Sequence, residues 1–161
     1  MSSESTKFDR IDARLLAELQ RDGRQSVVQL ADEVGLSGTP CARRIRQLEQ
    51  RGVIQGYTAV VDAARLGLSV KAFVQVRLER HTDDNVALFR RELAALETVV
   101  SCHAVTGEYD FMLQVFATDL DALSNFVLKK LLKIRCVRDI HSSIVLETVK
   151  HSMRLPLGHI A

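Results

Sequence analysis

The chain has 161 residues, room for one large domain or two small ones. Hydrophobic residues make up 47% and charged residues 26%, a globular balance that excludes extended disorder outside the polar start Met1–Lys7. The net charge of +2 is too small to mark a nucleic-acid partner, so any basic footprint has to be local. Three cysteines, Cys41, Cys102 and Cys136, are odd in number and far apart, which speaks against a disulfide framework and fits a reducing cytosol. No CxxC or paired Cys/His spacing points to zinc. The N-terminus lacks the apolar core of a signal peptide, and no apolar run approaches the ~20 residues needed to span a bilayer. A cytoplasmic protein, away from the membrane, is expected.

From Phe8 to Arg51 the apolar residues recur at three and four. Ile11, Leu15, Leu16 and Leu19 line one helical face, and Gly23 follows as a stop. Ser26 with Gln29 forms a capping-box pattern that opens a short helix through Leu30, Ala31 and Val34, ended by Gly35. Ser37 or Thr39 can cap a third helix, with Pro40 in its first turn, running through Ile45 and Leu48 to Arg51 and Gly52. Residues Val53–Val61, β-branched and aromatic around Gln55-Gly56, predict a small hairpin, the wing of a winged helix-turn-helix.

After a linker the period changes to two. Val70, Ala72, Val74, Val76 and Leu78 alternate with Lys71, Phe73, Gln75, Arg77 and Glu79, a strand with one buried face. Val86, Phe89, Leu93 and Leu96 mark a helix; Val99–Val105 and Phe111–Ala117 are strands joined by a turn containing Gly107. Leu120, Leu123, Val127 and Leu131 mark a second helix, and Ile140–Val149 a last strand. The order β-α-β-β-α-β is that of a ferredoxin-like domain. The expected organisation is therefore α+β: a winged helix-turn-helix over 1–61, a linker over 62–68, and a ferredoxin-like domain over 69–161, to which the resemblance described below gives effector binding and oligomerisation. The apolar points of the tail, Met153, Leu155, Leu157 and Ile160, are suited to packing on a partner subunit.

In a helix-turn-helix the later helix enters the major groove. At ~100° per residue, Cys41, Ile45 and Leu48 share an inward stripe, while Thr39, Arg43, Arg46, Gln47 and Gln50 share the opposite face. That face holds donors for base edges and no acid; arginine can grip guanine and glutamine adenine. Arg44 and Arg51 fall to the sides, where phosphates would run and supply salt-dependent affinity. The plain alternative is a solvated, arginine-rich helix. The capping box before it, the Gly35 turn and the following segment favour DNA.

The run Ser37-Gly-Thr-Pro-Cys-Ala-Arg-Arg-Ile-Arg-Gln-Leu-Glu-Gln-Arg-Gly-Val-Ile-Gln-Gly-Tyr57 resembles the recognition-helix signature of the leucine-responsive regulatory protein/AsnC family of transcription regulators. Phe8-Asp-Arg-Ile-Asp12, Leu19-Gln-Arg-Asp-Gly-Arg24 and His103-Ala-Val-Thr-Gly-Glu-Tyr-Asp110 resemble its first helix and its effector turn, so the likeness runs from about Phe8 to Leu157. One departure is Gly38, where many members carry proline. The resemblance implies double-stranded DNA as partner, Ser37, Thr39, Arg43, Arg44, Arg46, Gln47 and Arg51 as contacts, a homodimer assembling to an octamer, and an amino-acid effector between dimers. By position it assigns Ala104, Val105, Thr106, Gly107, Glu108, Tyr109 and Asp110 to the effector site, with Leu132 and, from a neighbouring subunit, Ser142, Ser143 and Ile144. The apolar members lean toward leucine or methionine.

The turn itself is suited in kind to an amino acid. Thr106, Gly107, Glu108 and Tyr109 offer backbone N–H groups to a carboxylate, and Asp110 offers a carboxylate to an ammonium. A plain hairpin turn would use the same residues. Asp139, His141 and Ser142 lie close together but without a nucleophile elbow or an oxyanion-forming turn, so no enzyme and no metal or other cofactor is expected. His81, His151 and His159 read as solvated surface. A different class of function, a small-molecule sensor acting through a protein partner without specific DNA binding, is separable by the effect of removing Arg43 and Arg46.

Overall fold

The computed structural model describes residues 8–160; the polar start lies outside the described residues. The chain divides into two compact units, one formed by the chain up to Val60 together with the stretch from Lys150 onward, the other by Val61–Val149. The tail thus groups with the helical unit, where the sequence reading kept it with the sheet.

In the first unit three helices, α1 (Arg10–Arg21), α2 (Val27–Val34) and α3 (Gly38–Gln50), close on Leu15, Leu30, Ala31, Val34, Cys41 and Ile45. Their ends follow from the chain chemistry. Asp9 and Asp12 form a capping box at the start of α1, and Ser26 and Gln29 form the expected one at α2. Gly35 ends α2 at φ 72°, a left-handed conformation glycine adopts without a Cβ penalty. Ser37 stands at the N-cap of α3 but makes no side-chain capping bond.

The predicted wing does not form. Among the described residues none from 53 to 61 is in a strand. The N–H groups of Val53 and Ile54 are spent on the carbonyl of Leu48, closing α3, and Ile54 packs into the helical core. Val60 and Val61 are left 71% and 64% exposed, with no facing run to pair with. The segment from Gln55 to Val61 is left without regular secondary structure. Its Tyr57 lies 3.2 Å from where a Cβ on Gly23 would stand and bonds the Glu49 carboxylate at 3.1 Å.

The second unit is a four-stranded antiparallel sheet of order β2-β3-β1-β4, with β1 Val70–Leu78, β2 Val99–Ala104, β3 Phe111–Ala117 and β4 Val137–Ile144. This is the ferredoxin-like arrangement expected from β-α-β-β-α-β. The strand alternation is realised residue by residue: Ala72, Val74, Val76 and Leu78 are buried, as are Phe111, Leu113, Val115 and Ala117. They meet α4 (Asp83–Ala94) and α5 (Leu120–Phe126), whose Phe89, Leu123 and Phe126 are buried in the same core. The rings of Phe89 and Phe111 stand 4.7 Å apart. The opposite face of the sheet, with Lys71, Phe73, Gln75 and Arg77 on β1, is uncovered by any helix of the unit.

Two boundaries differ from expectation. β4 begins at Val137 and ends at Ile144 instead of running over Ile140–Val149. Cys136 and Val137 are buried, and Cys136 accepts from Glu79 N–H, which brings the chain into the sheet early. The ladder stops because its partner runs out: Ile144 is opposite Ala72 and Val145 N–H bonds Lys71, at the start of β1. α5 leads into a wide π turn over Val127–Leu131, closed by Leu132 N–H on the Val127 carbonyl at 2.9 Å. Such turns often sit near functional sites; here Leu131 is buried while Leu132 stays 40% exposed.

Candidate functional site

The structure places the third helix as its sequence required. Cys41, Ile45 and Leu48 are buried, while Thr39, Arg43, Arg46, Gln47 and Gln50 are exposed, with Ser37 at the N-terminal end and Arg51 at the other. Among the described residues neither Arg43 nor Arg46 has an ion-pair partner. Two guanidinium groups one helical turn apart, with no competing carboxylate, are free to meet base edges.

Arg44, expected beside a phosphate, is engaged within the chain. Its guanidinium turns back to α1, 2.7 Å from Asp9 and 2.8 Å from Asp12. Asp12 is 7% exposed, the one buried charged residue among those described. Hydrogen bonds to Asp12 and then Asp9 stabilise the guanidinium, and the Asp12 amide, aided by Arg44, holds the Asp9 carboxyl below its ordinary range. Arg44 is therefore a pin between the first and third helices. Arg51 lies with its guanidinium 5.3 Å from the ring centroid of Phe8. Arg14 caps the second helix through the Glu33 carbonyl. The tail is tied to α1 by paired bonds, Leu155 N–H to the Gln20 amide oxygen at 2.6 Å and the Gln20 amide to the Leu155 carbonyl at 3.2 Å.

In the second unit the turn between β2 and β3 is fixed at its base. Val105 N–H bonds the Asp110 carbonyl at 3.0 Å, and Asp110 N–H bonds Val76 at 2.9 Å. Between these bonds Gly107 adopts φ 123°, a conformation open to glycine and strained for other residues; no atom lies within 4 Å of its missing Cβ. Among the described residues no protein acceptor takes the N–H groups of Thr106, Gly107, Glu108 and Tyr109. Thr106, Glu108 and Tyr109 line an open depression of about 700 Å³ together with Gln75, Ala104, Val105 and Met112.

The acidic end of the turn is held from β1. Arg77 donates from Nε to the Glu108 carbonyl at 2.7 Å, and its guanidinium lies 5.7 Å from the Tyr109 ring centroid. The Asp110 carboxylate accepts from Leu78 N–H at 2.7 Å and contacts His81 Nδ1 at 2.8 Å. Burial works to raise its pKa, but the Leu78 amide, His81 and Arg77 outweigh it and hold the carboxyl below the usual range. It is ionised at neutral pH, and each oxygen keeps a lone pair for a further donor.

Models of two families match the chain: the AsnC-type helix-turn-helix domain over residues 8–49 and the Lrp/AsnC ligand binding domain over residues 71–155. The chain belongs to the Lrp/AsnC family. It is 42% identical over 148 residues to the leucine-responsive regulatory protein of Escherichia coli K12, covering 92% of this chain and 90% of that one. A transcriptional regulator of Neisseria meningitidis, solved as its L-Met complex, superposes with a TM-score of 0.92 at 40% identity, over 96% of this chain and 99% of that one. An AsnC family transcriptional regulator from Agrobacterium tumefaciens gives 0.89 at 33% identity, over 96% and 100%. The protein is a DNA-binding transcription regulator with an Lrp/AsnC ligand-binding domain. Among the described residues no helix is long and apolar enough to cross a membrane.

Against this Lrp/AsnC frame the expected effector residues fall into groups. Ala104 ends β2, and Val105 to Asp110 follow it as one continuous turn. Ser142, Ser143 and Ile144 lie on β4 opposite Val74, Phe73 and Ala72, at the other edge of the sheet from β2. Leu132 stands beyond the π turn in the helical layer. One chain does not gather the three groups. Gln75 and Met112 were missed, although both occupy the outward positions of their strands' alternation. His81, expected to be mere surface, is 64% exposed yet bonded to Asp110. Cys102 packs toward the core while its neighbour His103 is exposed, as strand geometry requires.

Proposed function

We propose that the protein is an amino-acid-responsive transcription regulator, acting in the cytoplasm. Thr39, Arg43, Arg46 and Gln47 on α3 read base edges, with Ser37 and Arg51 toward flanking phosphates. The turn 105–110 holds a small aliphatic amino acid, leucine or methionine, its carboxylate on the N–H groups of Thr106–Tyr109 and its ammonium on Asp110. The observation that carries this reading is the run of free N–H groups in a turn that lines an open depression and ends on the ionised Asp110 carboxylate, since an amino acid needs both ends satisfied. The L-Met complex of the Neisseria relative supports the ligand class.

The uncovered face of the sheet, with Phe73 and Phe116 beside Lys71, suits a second copy of the chain. Assembly of dimers toward an octamer would bring Leu132 and the Ser142–Ile144 segment of neighbours to the turn, which a single chain does not. The effector acts through its differential affinity for the assembled states, and several recognition helices on one DNA amplify the change.

The test is a gel shift of the full chain on DNA from upstream of its own gene, with and without leucine or methionine, paired with sedimentation. The expected result is that apparent affinity and assembly size move together with one of the two. Neither quantity moving with any free amino acid would contradict the effector reading.

A further inference from the structure

We infer that His81 is a positioning residue for the effector turn: it grips Asp110 from outside the turn, so that charging its imidazole weakens amino-acid binding. The inference rests on the reading of Asp110 as the partner of the effector's ammonium.

The contact is His81 Nδ1 to Asp110 Oδ1 at 2.8 Å, while Leu78 N–H holds Oδ2 at 2.7 Å. An ionised carboxylate only accepts, so Nδ1 carries the donated proton. That holds for the neutral imidazole and for the imidazolium alike. Taking up a second proton at Nε2 therefore leaves the grip in place and adds a full positive charge beside Asp110. An ammonium arriving at the same carboxylate then meets a like charge a few ångströms away.

Other charged and titratable groups surround the turn. Arg77, which also acts on Asp110, is drawn to Glu108, with Nη2 3.6 Å from its carboxylate. Arg80 precedes His81, its carbonyl taken by the Asn85 amide at 2.8 Å. Asp83 and Asp84 sit in the first turn of α4. Two further histidines face this side of the sheet, His103 next to Ala104 on β2 and His141 on β4, whose ring centroid is 6.3 Å from that of Tyr109. Asp110's side-chain partners are Leu78 and His81, so His81 is the histidine coupled to it.

The experiment is calorimetric titration of the full chain with leucine and with methionine at pH 8 and pH 5.5, for the natural sequence, His81→Gln, His141→Gln and Asp110→Asn. Affinity of the natural protein is expected to be roughly two- to fivefold weaker at pH 5.5, the range of couplings between exposed charges. His81→Gln, which keeps a donor but does not charge, should bind equally at both pH values. His141→Gln should retain the difference, and Asp110→Asn should lose binding at both. The natural pH dependence surviving in His81→Gln would overturn the inference and leave the Asp110 reading intact. Undiminished binding by Asp110→Asn, or no binding of either amino acid to the natural protein, would overturn that reading and the inference with it.

Discussion

Replacing Arg43 and Arg46 together with alanine is expected to abolish specific DNA binding while leaving the chain folded. Both side chains are exposed on the face of α3 opposite its buried stripe, and neither is in an ion pair among the described residues, so their loss costs little stability. Each bidentate arginine–guanine contact is worth about 1–3 kcal/mol of discrimination. Losing two removes about 2–6 kcal/mol, and each ~1.4 kcal/mol is tenfold in affinity. A gel shift against specific and scrambled DNA should show the two affinities converge, with circular dichroism unchanged. Undiminished specific binding by the double variant would mean that another surface reads the sequence.

The adjacent arginine should behave in the opposite way. Arg44→Ala is expected to destabilise the helical unit, and to weaken DNA binding only as a consequence. Its guanidinium is the partner of Asp12, which is 7% exposed; removing it strands a carboxylate with little access to water. Breaking a fully buried pair costs about 3–5 kcal/mol. Arg44 and Asp9 have side chains 26% and 51% exposed, so solvent screening reduces this to roughly 2 kcal/mol. For a unit of this size that lowers the melting temperature by roughly 8–15 °C.

The variant should also change the acid side of the stability profile. Asp9 has a folded pKa held below its ordinary value. It contributes stability above the unfolded value of about 3.9, and that contribution is lost as pH falls through the folded value. Without Arg44 the Asp9 part of this loss should shrink. Arg44→Ala melting like the natural protein at pH 7 would remove Arg44 from the structural role.

These neighbours show what a sequence can and cannot say. The helical period separated the buried stripe of α3 from Arg43 and Arg46 because that depends on residues within one helix. It could not separate Arg44 from the other arginines of α3, because the partners of Arg44 lie 32 and 35 positions earlier, in the first turn and at the N-cap of α1. Strand alternation located β1 and β3 because each is central and one face is buried. The end of β4 was misjudged because it is set by where β1 begins, not by the residues of β4. The hairpin after α3 failed for a related reason: β-branched residues make a strand only with a partner run, and Leu48 had already claimed the first two N–H groups.

At the turn between β2 and β3 the backbone freedom of Gly107 and the acid at Asp110 follow from local chemistry. The grip of His81 on Asp110 does not, since it joins the loop after β1 to the end of a turn 29 residues on. The separation of Ser142–Ile144 from the turn follows from strand order, which only the assembled sheet reveals.

The central claim is that the turn at Thr106–Asp110 binds a free amino acid. The most direct measurement is the melting temperature of the full chain against a panel of free amino acids, repeated with Asp110→Ala. A ligand specific to the native state, present at ~100 times its dissociation constant, adds ~2.7 kcal/mol, a rise of several degrees. The account predicts such a rise with leucine or methionine and its loss in Asp110→Ala. No rise with any amino acid, or an equal rise in the variant, would contradict it.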